Sequence, residues 1–166
     1  MEKLWSPWRS QYIDSFNKEK TENTCIFCEA PKHDVKNPDN LLIEKGELTY
    51  TVLNLYPYNN GHLMVVPYRH TDDFNSITKE ESIEIFHKLQ IAQKALSAIM
   101  RPEGFNIGGN LGKVSGAGID EHIHFHIVPR WNGDTNFMPV LGEVKVISQD
   151  LLTTKNKLLE EYKKFK

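Results

Sequence analysis

The chain has 166 residues, with 20 Lys/Arg against 22 Asp/Glu and a formal charge of −2, the size of one compact domain with its own core. This near-balance gives little support to a basic face for duplex binding, since no Lys/Arg block stands out before Lys163, Lys164 and Lys166 at the C-terminal end, on an expected helix. No apolar run approaches membrane-spanning length, and the start, Met1-Glu2-Lys3-Leu4-Trp5, lacks the apolar stretch of a signal peptide; a soluble cytoplasmic protein with no membrane or nucleic-acid partner is expected.

The first residues mix Trp5, Trp8, Tyr12 and Phe16 with charges and show no repeat, as an arm packed on the domain or on a second subunit would. The two cysteines, Cys25 and Cys28, have a metal-ligand or redox spacing, unlike a secreted disulfide framework. Two β-runs follow, Leu48 to Leu53 and His62 to Val66, separated by the turn-rich Tyr56-Pro57-Tyr58-Asn59-Asn60-Gly61. Thr78 and Glu81 form a capping box. Behind it Ile85, Phe86, Leu89, Ala92, Leu96 and Ile99 recur at helical spacing until Pro102 and Gly104, which predicts one long amphipathic helix. Phe105-Asn106-Ile107 leads into a glycine-rich stretch from Gly108 to Gly118, then a strand from His122 to Val128 closed by Pro129. Leu151, Leu158, Tyr162 and Phe165 predict a terminal helix. Strands with segregated helices and no repeated βαβ unit predict an α+β fold with a largely antiparallel sheet.

The chemistry concentrates in Glu121-His122-Ile123-His124-Phe125-His126-Ile127-Val128, where histidine alternates with large apolar residues. On a strand such alternation puts His122, His124 and His126 on one face at intervals of about 6.6 Å, and Ile123, Phe125 and Ile127 in the core. A row of imidazoles offers a nucleophile, a donor to phosphate oxygens and a metal ligand, because each ring has two distinct nitrogens and titrates near neutrality. The bland alternative is three solvent-facing histidines on a half-buried strand. The preceding loop, with Asn110, Ser115, Gly116 and Gly118, can offer backbone N–H groups to an anion. It is not a Walker loop: Gly112-Lys113 is followed by Val114, and a strand comes next.

At these residues the chain resembles the histidine triad family, whose signature of alternating histidine and hydrophobic positions is matched from His122 to Val128. The resemblance extends over Asn54 to Pro67 and from Asn110 onward. It marks residues 22–140 as the family domain, between an arm at 1–21 and a C-terminal extension with a helix at 141–166. The stretches Leu4 to Arg9, Cys25 to Cys28 and Val128 to Met138 are similar to a prokaryotic branch that includes diadenosine tetraphosphate phosphorylases. The resemblance implies a homodimer, a five-stranded mainly antiparallel sheet in each subunit with one long helix, and His124 as covalent nucleophile at an α-phosphate. The nucleotidyl-histidine is then cleaved by water or phosphate, with no catalytic metal. It further implies that His126 and His62 stabilise phosphate charge, that Asn54 holds the ribose and that Asn110 sits beside the phosphates. The expected ligand is a purine nucleotide or dinucleoside polyphosphate, with Tyr50 and Leu53 as apolar lining for the base.

The cysteine pair suits one tetrahedral zinc, which needs two more ligands. By resemblance to galactose-1-phosphate uridylyltransferase and some bacterial triad proteins these are His70 and His122, and the zinc is structural. The alternatives are a reduced pair clustered with Ile26 and Phe27, or a redox pair; no thioredoxin-like βαβ pattern supports the latter. Three rival functions remain open: a hydrolase with a catalytic zinc on the triad, a nucleotide-binding regulator with feeble turnover, and a zinc finger for nucleic acid, which lacks the basic surface it requires.

Overall fold

Alternation along the strands sorts the apolar residues into two layers, one on each side of a single sheet. The computed structural model describes residues 25–115, 119–134 and 147–165; the expected arm at 1–21, together with Gly116 and Gly118, lies outside them. A short helix α1 (Ile26–Glu29) is followed by β1 (Leu42–Lys45), β2 (Thr49–Leu53), β3 (Leu63–Pro67), the long helix α2 (Lys79–Met100), β4 (Gly104–Gly109), β5 (Phe125–Arg130) and α3 (Leu151–Tyr162). The sheet has five strands in the order β1-β2-β3-β5-β4, and every pairing is antiparallel, as the α+β expectation required. β1 is four residues long with only Leu42 and Ile43 buried, too short to leave a periodic signal in the sequence.

Leu53, Leu63, Val65 and Ile127 point to one side and meet Ile85, Leu89, Ala92 and Leu96 of α2 with Leu158 and Tyr162 of α3. Burial of each such large side chain is worth about 1.5–3 kcal/mol, so α3 is an integral part of this core. Lys155 makes the same point with a polar group. It is 1% exposed and its Nζ donates to the carbonyls of Asn37 (2.7 Å) and Asn40 (2.9 Å) and to Asn40 Oδ1 (3.0 Å), lashing α3 to the segment before β1. On the other side of the sheet Leu42, Tyr50, Val52, Met64 and Val66 pack with Cys25 and Phe27. This second layer carries the histidines.

The capping box forms in both halves: Glu81 N–H donates to Thr78 Oγ1 (3.1 Å) and Thr78 N–H to Glu81 Oε2 (2.8 Å). The helix ends where Arg101 turns left-handed (φ 49°) before Pro102. Phe86, counted into the buried stripe from its spacing, is instead 69% exposed on the outer face, beside Ile83. Two details of the histidine strand also differ. β5 begins at Phe125, so that His122, at a bend, and His124 both precede it, and it runs through Pro129 to Arg130. Proline is tolerated because β3 has stopped pairing at Leu63 opposite Ile127, so the missing N–H faces no strand there. Among the described residues no helix is long and apolar enough to cross a membrane.

Candidate functional site

Two groups of side chains meet on the histidine face, one at each end of the imidazole row. The first gathers Cys25, Cys28, His70 and His122, whose ligand atoms all lie within 4.8 Å of one another. Cys25 and Cys28 flank one turn of α1, so both sulfurs face the same point. His122 Nδ1 stands 3.4 Å from Cys25 Sγ, 3.6 Å from Cys28 Sγ and 3.3 Å from His70 Nδ1, and His70 Nδ1 is 3.4 Å from Cys28 Sγ. A tetrahedral ion with metal–sulfur bonds of about 2.3 Å and metal–nitrogen bonds of about 2.0 Å sets sulfur–nitrogen edges near ~3.5 Å and nitrogen–nitrogen edges near ~3.3 Å. The donor set has the size of a metal centre. His122 Nε2 donates to the Pro67 carbonyl at 2.9 Å, which leaves the Nδ1 lone pair aimed at the cluster. Burial, and then the neighbouring Cys25, push the Cys28 thiol up to about 11; a cation among these ligands would reverse that.

The second group is built on hydrogen bonds that fix where protons sit. The turn before β3 folds back so that Tyr58 N–H donates to His62 Nδ1 at 3.1 Å, with Asn54 Nδ2 reaching the same nitrogen at 3.3 Å. Gly61 makes this turn possible: its φ is +78°, and a Cβ there would meet Met100 Sδ at 2.7 Å. With Nδ1 accepting, His62 carries its proton on Nε2 and donates to His126 Nδ1 at 2.9 Å. His126 therefore carries its own proton on Nε2. That atom is buried and without a hydrogen-bond partner among the described residues, a cost unless a ligand oxygen meets it. Burial, then the neighbouring His126 and His124, lowers His62 to about 3; burial, then His124, lowers His126 to about 4. Both rings are neutral at pH 7.

His124 lies between the groups. Its Nδ1–H donates to the His122 carbonyl at 2.8 Å, so the lone pair is on Nε2. Burial lowers its pKa, against the opposing pull of that carbonyl, and keeps the lone pair free. The His124 ring is 4.8 Å from His126 and 4.7 Å from Phe27, and Phe27 in turn lies 5.6 Å from His122. The row is thus assembled, closer-spaced at its 124–126 end than an ideal strand gives. Chemically the face offers an unprotonated nitrogen beside a fixed N–H donor, in a desolvated setting.

The other expected residues divide. Asn54 reaches His62, as above, and the glycine-rich stretch starts beside the row, Gly108 pairing with His126 in the register of β4 and β5. Asn110 is half-buried in the following loop; Ser115 is exposed and its hydroxyl donates to the Gly112 carbonyl at 2.6 Å. Tyr50 and Leu53, the expected lining for the base, are both buried. Leu53 is 1% exposed in the helix-side core, across the sheet from the histidines. Tyr50 is on the histidine side but fully buried, its hydroxyl donating to the Phe27 carbonyl at 2.7 Å. Three residues apart on a strand, the two side chains face opposite ways. Phe27, Tyr58, Asn59 and Asp134 were not anticipated as site residues, because nothing in their local spacing marks them.

Comparison with known proteins bears on this site. The family model described as "HIT domain" matches residues 35–133. The chain is 40% identical to a Mycobacterium tuberculosis protein named AP-4-A phosphorylase, covering 98% of this chain and 85% of that one. It is 31% identical to an adenosine 5'-monophosphoramidase of Schizosaccharomyces pombe over 66% of this chain and 76% of the relative. Among solved structures, a Zn-bound histidine triad family protein from Mycobacterium smegmatis superposes with a TM-score of 0.68 at 24% identity, covering 86% of this chain and 95% of the other.

Proposed function

The chain belongs to the HIT family, and on that footing we propose that it cleaves a nucleotide phosphoanhydride at the α-phosphate through a nucleotidyl-His124 intermediate. The observation that carries the reading is the proton pattern of the row. His124 presents a lone pair on Nε2, and its neighbour His126 presents an unpartnered N–H. His124 Nε2 attacks phosphorus as the bond to the leaving polyphosphate oxygen breaks. His126 Nε2–H meets charge growing on a phosphate oxygen, and His62 holds His126 in that tautomer. For diadenosine tetraphosphate the first step releases ATP and leaves AMP on His124. Inorganic phosphate as acceptor then breaks the P–N bond and gives ADP. The relative named AP-4-A phosphorylase, similar over nearly the whole chain, favours phosphate over water. Asn54 holds the ribose in this reading. The base rests against Ile26 and Val52, apolar residues of the histidine-side layer, in place of Tyr50 and Leu53.

Zinc suits the Cys25, Cys28, His70, His122 set. It would supply a tetrahedral tie that holds α1 and Phe27 against His124, with no part in the chemistry at phosphorus. A homodimer in the cytoplasm completes the reading. The deciding experiment incubates the protein with diadenosine tetraphosphate, with and without inorganic phosphate, and identifies the products. ADP with ATP, formed only when phosphate is present, is expected; AMP with ATP in either condition assigns water as the acceptor. Absence of turnover would leave a nucleotide-binding regulator. Turnover abolished by brief chelation while the fold persists would move the chemistry to a catalytic metal.

A further inference from the structure

The Asp134 carboxylate accepts four hydrogen bonds, and the mechanism does not use it. Its side chain is 7% exposed. It accepts from Arg130 Nε (2.6 Å) and Nη2 (2.9 Å), from Trp131 N–H (3.1 Å) and from Asn59 Nδ2 (2.7 Å). Asn59 Nδ2 also donates to the Pro129 carbonyl at 3.0 Å, on the side of β5 where β3 has ended. Asn59 is 8% exposed and sits in the middle of the turn that leads into β3. Its own carbonyl accepts from His62 N–H at 3.2 Å, and the residue before it supplies the Tyr58 N–H that fixes His62 Nδ1. The Tyr58 ring tilts over His62 at 4.6 Å and over His126 at 5.7 Å.

These contacts form a continuous chain: the Asp134 carboxylate, the Asn59 amide, the Tyr58 peptide, the His62 ring and the His126 ring. From it we infer that Asp134 and Asn59 are positioning residues that clamp the Tyr56–Gly61 turn, and thereby hold the proton of His126 on Nε2, where it faces the phosphate. The physical reason is that a peptide N–H reaches one ring nitrogen only if its turn is held in place. Tyr56 to Gly61 is a surface turn that requires a left-handed glycine, and such a turn gains rigidity from a buried charge-assisted tie at its centre. Arg130 extends the clamp to the edge strand, its Nη1 donating to Asn106 Oδ1 at 2.7 Å. The inference rests on the histidine chemistry proposed above for its effect on rate, but its effect on the proton position stands independently.

The test uses Asn59→Ala and Asp134→Ala in the full chain, with ring-nitrogen NMR of labelled histidine and steady-state kinetics. Asn59→Ala leaves the Arg130–Asp134 pair intact and can be read even if Asp134→Ala fails to fold. In the wild type the His126 signals should show a protonated Nε2 and a bare Nδ1. In each variant they should move toward a mixture of tautomers, with kcat lower by about 10- to 100-fold and KM within about twofold. The double variant should be no worse than the poorer single one, since both cut the same link. A folded Asn59→Ala protein with wild-type His126 signals overturns the inference, whatever its rate. Unchanged kcat alongside displaced signals overturns its catalytic part. Should His124→Ala keep full turnover, the reaction reading fails, and the ring signals still judge the clamp.

Discussion

The two ends of the imidazole row use the same side chain in opposite ways. At His122 the outer nitrogen donates to the Pro67 carbonyl and the inner one points, unprotonated, at two sulfurs and another imidazole. At His126 the inner nitrogen accepts from His62, and the outer one is a buried N–H with no partner among the described residues. One end is a converging set of electron donors that calls for a cation. The other is a donor that calls for an anion. Residue type and spacing are identical, so the difference comes from what each ring's far nitrogen is bonded to.

The largest effect should come from His124→Ala, at the residue that lies between the two groups and next to the anion-facing end. It should lower kcat on diadenosine tetraphosphate by about 10³-fold or more, while nucleotide binding measured by calorimetry stays within a few-fold. Full turnover would remove the assigned nucleophile. Cys25→Ala should act on the other end: metal content after dialysis falls, and stability drops by about 3 kcal/mol or more in urea titration. If metal analysis of the wild type finds none and Cys25→Ala melts normally, the first end is merely a thiol cluster.

Acid should distinguish the ends again. In the unfolded chain His62 and His126 take up protons near pH 6.5, whereas in the folded protein they resist until about 3 and about 4. The unfolded state therefore binds more protons in that window, and the stability these rings contribute, present above pH 6.5, is lost as the pH falls. Between pH 7 and pH 5 the loss should be roughly 2 kcal/mol per ring, an upper figure for groups this buried. Because any metal held by the cysteine cluster would also be lost in acid, the comparison is with His62→Gln, in which the pH-dependent fall should shrink. An equal fall in both proteins would mean that the ring is not held neutral by burial. The smallest effect is expected at Phe27, which packs on both His122 and His124. Phe27→Leu keeps much of the volume and should cost about 1 kcal/mol of stability. A matching change in both metal affinity and kcat would show the ends to be coupled through that ring.

Local pattern was a good guide where the physics is local. The Thr78–Glu81 box links residues three apart and forms; the alternation from His122 to Val128 puts imidazoles on one face, with Ile123 and Ile127 buried and Phe125 half-buried against the helix-side core. Pattern failed where the outcome depends on a neighbour far along the chain. Tyr50 and Leu53 were grouped as apolar residues of one strand, yet the pleat sends them to different layers, and only packing against α2 or against Phe27 shows which layer meets a ligand. Phe86 obeys helical spacing but lies outside the arc that the sheet covers.

By itself the sequence determined the chemistry available: alternating histidines, a pair of thiols three positions apart, a capped helix and a turn that ends in glycine. Folding decided how that chemistry is used. The partners that fix each proton, Pro67 for His122, His62 for His126 and Asp134 for Asn59, are 55, 64 and 75 residues away along the chain. A ring nitrogen takes its role from the atom it faces, and no periodicity encodes a facing that distant.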